Sequence, residues 1–338
     1  MMGHGAPHAS WLPMSTRWRE KGVLTADGMQ HWRRRPVKLA LIVAAIIALT
    51  LGAGACHAAS HAPARSGPAS APPAQAPAPP AQVVLPFTGL KSVAGVAVDA
   101  GGNLYVADAA GNRVQTLAAG SGNSTELPFT DLFVPTGVAV DGTGNLYVTS
   151  YSTCPKNDCG NGRLLKLTAG SNTPTVVPFS NLDLPLDVAV DSAGNIYVID
   201  RGRVMKLAAG SSTPTEVRFA DPVLAGGVAV DGAGNLYVTD MGIVDGRVLK
   251  VAAGSNTQTV LPLKGLKFPE GLAVDSAGNI YVADDNNNRV VKLAADSSAR
   301  TVLPFTGLKS PRGVAVDGAG NVYVTDSGNK RVLKLPAR

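Results

Sequence analysis

From Gln82 to Arg338 the chain contains no histidine and no tryptophan. All five histidines (His4, His8, His31, His57, His61) and all three tryptophans (Trp11, Trp18, Trp32) lie upstream. The lack of histidine removes the usual neutral-pH acid–base group and any histidine-rich zinc site from about three quarters of the sequence. Glutamate is nearly as scarce there. Glu126, Glu216 and Glu270 stand alone in scattered strand and loop contexts that suggest no common site. An excess of positive charge is also missing from this region. Of 30 Lys and Arg residues, eight precede Gln82, and of 24 acidic residues two do, which leaves 22 of each sign. A formally neutral domain gives no electrostatic footprint for nucleic acid. Cysteine is limited to Cys56, Cys154 and Cys159.

What the region does have is repetition. Gly313-Val-Ala-Val-Asp317-Gly-Ala-Gly-Asn321-Val-Tyr323-Val-Thr-Asp326 occurs six times with small changes. The aspartates closing its first half are Asp99, Asp141, Asp191, Asp231, Asp275 and Asp317, at spacings of 42, 50, 40, 44 and 42. A period near 40 residues with short alternating strands reads as a propeller or solenoid. In the first full unit the pattern predicts strands over Gly95–Val98, Asn103–Ala107, Arg113–Leu117 and Thr125–Phe129. Asp99-Ala-Gly-Gly102-Asn103 between the first two is turn chemistry, because Asp bonds its own following backbone and Gly accepts positive φ. Tyr105, Tyr147, Tyr197, Tyr237, Tyr281 and Tyr323 hold one place in the second strand and are expected to pack between neighbouring sheets, their hydroxyls partnered.

The ends of the region predict closure. The last unit stops at its third strand, Arg331–Leu335. Val83-Val-Leu-Pro-Phe87 matches Thr301-Val-Leu-Pro-Phe305 and can supply the missing fourth. The expected fold is all-β: a six-bladed propeller of four-stranded antiparallel blades with protected edges.

Arginine opens each third strand, at Arg113, Arg163, Arg203, Arg247, Arg289 and Arg331. Aspartate ends five of the second strands, at Asp108, Asp200, Asp240, Asp284 and Asp326. Such repetition favours structural Asp–Arg ion pairs, within or between blades. The second unit departs from this. Ser150 replaces the aspartate, and the following loop is eight residues longer than in the first unit. That loop, with Tyr151, Cys154, Lys156, Asp158 and Cys159, is the candidate recognition feature. Cys154 and Cys159 are expected to form a disulfide in an oxidising compartment. Asp187 replaces the glycine found at its place in the other units, and Asp285-Asn-Asn-Asn288 is a polar loop. Both are candidate ion or channel positions. No cofactor is expected, though Asp and Asn oxygens leave calcium chemically open.

Ahead of the repeats, residues 1–38 form a basic tail or extended signal n-region ending in Arg33-Arg34-Arg35. Leu39–Ala55 is an apolar run at the short end of bilayer-spanning length. Residues 56–81 are an Ala/Pro-rich linker with too little to bury to order itself. The arginines orient the run so that residues 82–338 lie outside the cytoplasm. Three readings stay open: a retained membrane anchor, lipidation at Cys56 after Ala53-Gly54-Ala55, or secretion.

The Gly-Val-Ala-Val-Asp…Gly-Asn-Leu-Tyr-Val-Ala-Asp…Asn-Arg-Val pattern, fullest at Gly95–Val114 and Gly271–Val290, resembles the NHL repeat. More narrowly, Val-Leu-Pro-Phe-Thr-Gly-Leu and Leu-Ala-Ala-Gly are similar to repeats in the extracellular sensor domains of mycobacterial receptor serine/threonine kinases. The resemblance implies a surface sensor or adhesion-like module. It does not carry over kinase chemistry. The sequence has no glycine-rich loop followed by a strand lysine, no His-Arg-Asp and no Asp-Phe-Gly. The expected function is a non-catalytic module binding a protein, a peptide or an envelope glycan. Two alternatives remain: a metal-assisted hydrolase or lyase of the lactonase or streptogramin-lyase class, and a structural surface protein.

Overall fold

A computed structural model describes residues 81–337, apart from 152–161, 221–222, 243–244 and 256. These lie within one compact unit, Ala76–Arg338. The expected membrane or signal segment, the linker, Cys56, Cys154, Lys156, Asp158, Cys159 and the expected disulfide lie outside the described residues. Among the described residues no helix is long and apolar enough to cross a membrane.

Six four-stranded antiparallel sheets are arranged as a closed propeller. The innermost strands of blades 1 to 6 are Val93–Val98, Pro135–Val140, Pro185–Val190, Ala225–Val230, Pro269–Val274 and Pro311–Val316. The second strands end at Asp108, Ser150, Asp200, Asp240, Asp284 and Asp326. Each innermost strand begins about two residues earlier than the sequence pattern suggests, across a register shift such as that between Val93 and Val96. The fourth strands are shorter than expected, Thr125–Glu126 in blade 1. Pro128 carries no amide hydrogen, so the ladder cannot continue through it.

The chain closes on itself. Val83–Val84 pairs with the third strand of blade 6 through Val83 opposite Lys334 and Val84 opposite Leu333. The Leu85 amide continues the ladder to the Val332 carbonyl at 2.9 Å. The Gln82 side chain brackets Thr306, donating to its carbonyl and accepting from its amide.

The turn between first and second strands explains the repeating residues. In blade 6 the Asp317 carboxylate accepts the Asn321 amide at 2.9 Å, the Asn321 side chain at 2.7 Å and the Tyr323 hydroxyl at 2.8 Å. Gly320 supplies the positive φ, 83°, that the turn requires. Asn321 then accepts the Ala337 amide, tying the turn to the end of the third strand. Lys334 lies 5.6 Å from the Tyr323 ring centre, a cation–π contact repeated in blades 2 to 5.

Six apolar clusters fill the seams between consecutive blades. The closing seam joins Ala315, Tyr323 and Val332 of blade 6 to Val93, Val96, Leu104 and Val106 of blade 1. Each fully buried Val or Leu contributes about 1.5–3 kcal/mol. A sheet that is apolar on both faces needs a neighbour on each side, and a ring provides one for every blade.

The mouth of the central channel as candidate functional site

The innermost strands contact one another in sequence around the axis and enclose the channel. Their third positions are Gly95, Gly137, Asp187, Gly227, Gly271 and Gly313. A β-carbon on Gly95 would lie 2.7 Å from the Thr136 carbonyl oxygen, and one on Gly313 would lie 2.6 Å from that of Ala94. The strands therefore abut with no room for a side chain at those two seams. Alternate blades add a side-chain bridge at this level. The Thr239 hydroxyl accepts the Gly227 amide of its own blade and donates to the Glu270 carbonyl of the next. Thr325 does the same for Gly313 and Ala94.

Asp187 is the exception in this ring. Its carboxylate is set against the innermost strand of blade 4, where Gly226 and Gly227 stand side by side, and accepts the Val228 amide at 3.0 Å. Burial pushes the carboxyl up to about 7, against amide hydrogen bonds from Val228 and Val188 that pull it down. The sequence signal at Asp187 thus marks a carboxylate in the channel wall.

One residue earlier in each innermost strand lies the ring that borders the channel mouth: Ala94, Thr136, Leu186, Gly226, Glu270 and Arg312. Glu270 and Arg312 stand on neighbouring blades and form an ion pair, Oε2 to Nε, at 3.3 Å. Each side chain is only about a fifth exposed, at 21% and 20%. Arg312 Nε is buried yet lacks hydrogen-bond geometry to any acceptor among the described residues. Tyr151, just past the second strand of blade 2, reaches the same mouth. Burial pushes its phenol up to about 12, with the charge of Arg312 pulling it down and that of Glu270 pushing it further up. Its amide is held by the Phe133 carbonyl at 2.8 Å.

The five Asp–Arg pairs all form within single blades, the first of the two arrangements expected. Asp284–Arg289 and Asp326–Arg331 are 2.7 Å apart, Asp240–Arg247 2.8 Å, Asp200–Arg203 3.0 Å and Asp108–Arg113 3.2 Å. These carboxylates are buried and hold backbone as well. Asp108 accepts the Lys91 and Ser92 amides, pinning the loop that enters its blade. Arg163, facing Ser150, instead donates to the Asp131 carbonyl at 2.6 Å. Asp285–Asn287 is a short 3₁₀ turn, and the Asn287 side-chain Nδ2 donates to the Asp284 carboxylate and the Gly265 carbonyl. Among the described residues no three His, Cys, Asp or Glu side chains converge as a metal site would require.

The NHL repeat family model matches residues 90–117, 266–293 and 308–335. These are the first three strands of blades 1, 5 and 6. The chain is thus a six-bladed β-propeller that carries NHL repeats. No curated protein sequence matches the chain. A chain in the nidogen/laminin complex is similar at 20% identity and a TM-score of 0.58, over 67% of this chain and 86% of that one. A gluconolactonase from Xanthomonas campestris is similar at 18% identity and 0.61, over 75% and 88%. Inactive virginiamycin B lyase from Staphylococcus aureus, solved with quinupristin, is similar at 16% identity and 0.54, over 75% and 83%. At these identities the likeness is one of fold.

Proposed function

We propose that this protein is a non-catalytic binding or sensor module held outside the cytoplasm, taking a protein, peptide or envelope glycan at the channel mouth. The observation that carries this reading is Arg312. A guanidinium has five N–H donors, and burying it costs free energy unless those donors are satisfied. Here it rests beside Glu270 with a buried Nε that makes no hydrogen bond among the described residues. A ligand acceptor would complete the set. The similarity to a chain in the nidogen/laminin complex is compatible with recognition as the role of such a fold.

Display outside the cytoplasm rests on the basic and apolar run 33–55, as a retained anchor, a lipid anchor at Cys56, or an exported form. The mass of the mature chain separates the three. The test of binding is saturable association of the full chain, kept in mild detergent, with fractionated cell envelope. Association that never saturates, or none at all, would sink the proposal.

A catalytic alternative would use Asp187, the one carboxylate at the register position where the other five innermost strands carry glycine. A hydrolase or lyase built on it would lose turnover in Asp187→Asn.

A further inference from the structure

We infer that the channel mouth is built for a neutral, polyhydroxylated ligand, a saccharide unit held between Glu270 and Arg312. This rests on the binding reading above and narrows it to a ligand class.

The argument begins with sign. Glu270 and Arg312 occupy the same register position on neighbouring blades, 3.3 Å apart, and their charges cancel. An anion drawn to Arg312 meets Glu270 at contact distance, and a cation drawn to Glu270 meets Arg312. Partial burial strengthens both penalties, because screening by water is weak there. The rest of the ring gives no compensation, since Ala94, Thr136, Leu186 and Gly226 carry no charge.

Hydrogen-bonding capacity points the same way. The guanidinium only donates and the carboxylate only accepts. A hydroxyl does both. Two adjacent hydroxyls can accept from Arg312 and donate to Glu270 together, which leaves no donor or acceptor facing its own kind. A peptide amide offers one fixed donor and one fixed acceptor further apart, and a carboxylate or phosphate offers acceptors only. Arg312 is about a fifth exposed, so its guanidinium still presents N–H donors that such a hydroxyl would take.

The surroundings suit the apolar faces of a sugar ring. Tyr151 lies within electrostatic reach of both charges from across the channel. Leu186 is partly buried, packed against the seam between blades 3 and 4, and Met241 packs so close to Gly226 that a β-carbon there would lie 2.9 Å from its Cγ. Aromatic and aliphatic walls around a few convergent polar groups are the usual makeup of a small-ligand site.

The test titrates the full chain with named probes. The neutral set is the methyl glycosides and tetrasaccharides of glucose, mannose, galactose, arabinose and N-acetylglucosamine. The charged set is inorganic phosphate, N-acetylalanine and spermine. At least one neutral probe should bind saturably, with affinity changing less than about twofold as salt rises roughly tenfold. Arg312→Lys keeps the charge but not the fork and should weaken that binding about tenfold, as should Glu270→Ala. Melting curves check that each variant folds, and Tyr151→Ala provides a third variant outside the ion pair. A purely structural pair would shift melting and leave affinity alone. The inference falls if no neutral probe binds, or if only charged probes bind and weaken with salt. It also falls if Glu270→Ala tightens phosphate binding, which would mark an anion site. If envelope association persists and depends on Arg312 while no neutral saccharide competes with it, the ligand class is wrong and the binding reading survives. If envelope association is lost as well, both fall.

Discussion

The Thr325 hydroxyl donates to the Ala94 carbonyl oxygen at 2.6 Å, across the seam that joins the last blade to the first. These residues are 231 positions apart, yet the same hydroxyl also accepts the Gly313 amide of its own blade at 2.7 Å. The seam is therefore closed near the axis by a buried side chain as well as at the rim by Val83–Val84. Thr325→Val keeps the shape and strands one buried donor and one buried acceptor. It should cost about 2–6 kcal/mol, from about 1–3 for each unsatisfied group. Urea titration measures this, and an unchanged midpoint would show that the bridge carries no weight.

The rim closure is tested by removing its strand. Leu85 and Phe87 pack on the closing cluster, and Leu85 extends the ladder to Val332. Deleting residues 82–87 leaves the blade 6 edge bare and opens an apolar void. The loss should exceed about 3 kcal/mol, on the scale of a large core truncation. A deletion variant that melted with the parent would contradict the closed ring.

Asp187 should make stability depend on pH in a direction unusual for a carboxylate. Its folded value is raised from 3.8 to about 7. Between those values the folded chain keeps a proton that the unfolded chain has released. Stability therefore falls as pH rises through this window and levels off above it. Asp187→Asn cannot titrate and still offers an oxygen to the Val228 amide. The difference in melting temperature between variant and parent should grow in favour of the variant from about pH 4 to about pH 7. A constant difference would show that the carboxyl does not titrate there.

The turn aspartates act in the opposite sense. Partial burial alone would raise Asp317, but hydrogen bonds from the Asn321 side chain, the Tyr323 hydroxyl and the Asn321 and Ala319 amides outweigh it and hold the carboxyl below 3.8. Its contribution is present above the ordinary value and is lost as pH falls through the lowered one. Asp317→Asn should cost about 1–2 kcal/mol near neutrality, because its hydrogen bonds lose charge assistance. The cost should shrink as pH falls below 3.8 and the carboxyl takes up its proton. Denaturant titrations in the two pH ranges decide it.

The fold was legible because its constraints recur. Asp99, Gly102, Asn103 and Tyr105 form one hydrogen-bonded turn, and six copies make a period that chance does not supply. The match of Val83–Phe87 to Thr301–Phe305 revealed the closure. The proposed binding pair was hidden because it breaks the period. Glu270 looked like one of three scattered glutamates, and Arg312 was one arginine among many. They meet because they stand 42 residues apart, one repeat, at the same register of neighbouring innermost strands. The signal was available to a reading by column. Ala94, Thr136, Leu186, Gly226, Glu270 and Arg312 are the one variable position beside the glycines, and opposite charges stand in adjacent blades. Strand ends were displaced for a local reason. The register shift near Val93 lengthens each innermost strand toward the mouth, and the alternation of side chains does not encode it.

The most direct test of the functional account separates affinity from stability at Arg312. The full chain and Arg312→Ala are compared for saturable binding to envelope fractions and for melting temperature under the same conditions. The account expects binding to weaken by at least about tenfold while the variant still melts cooperatively as a folded propeller. Undiminished binding by a folded Arg312→Ala would contradict it.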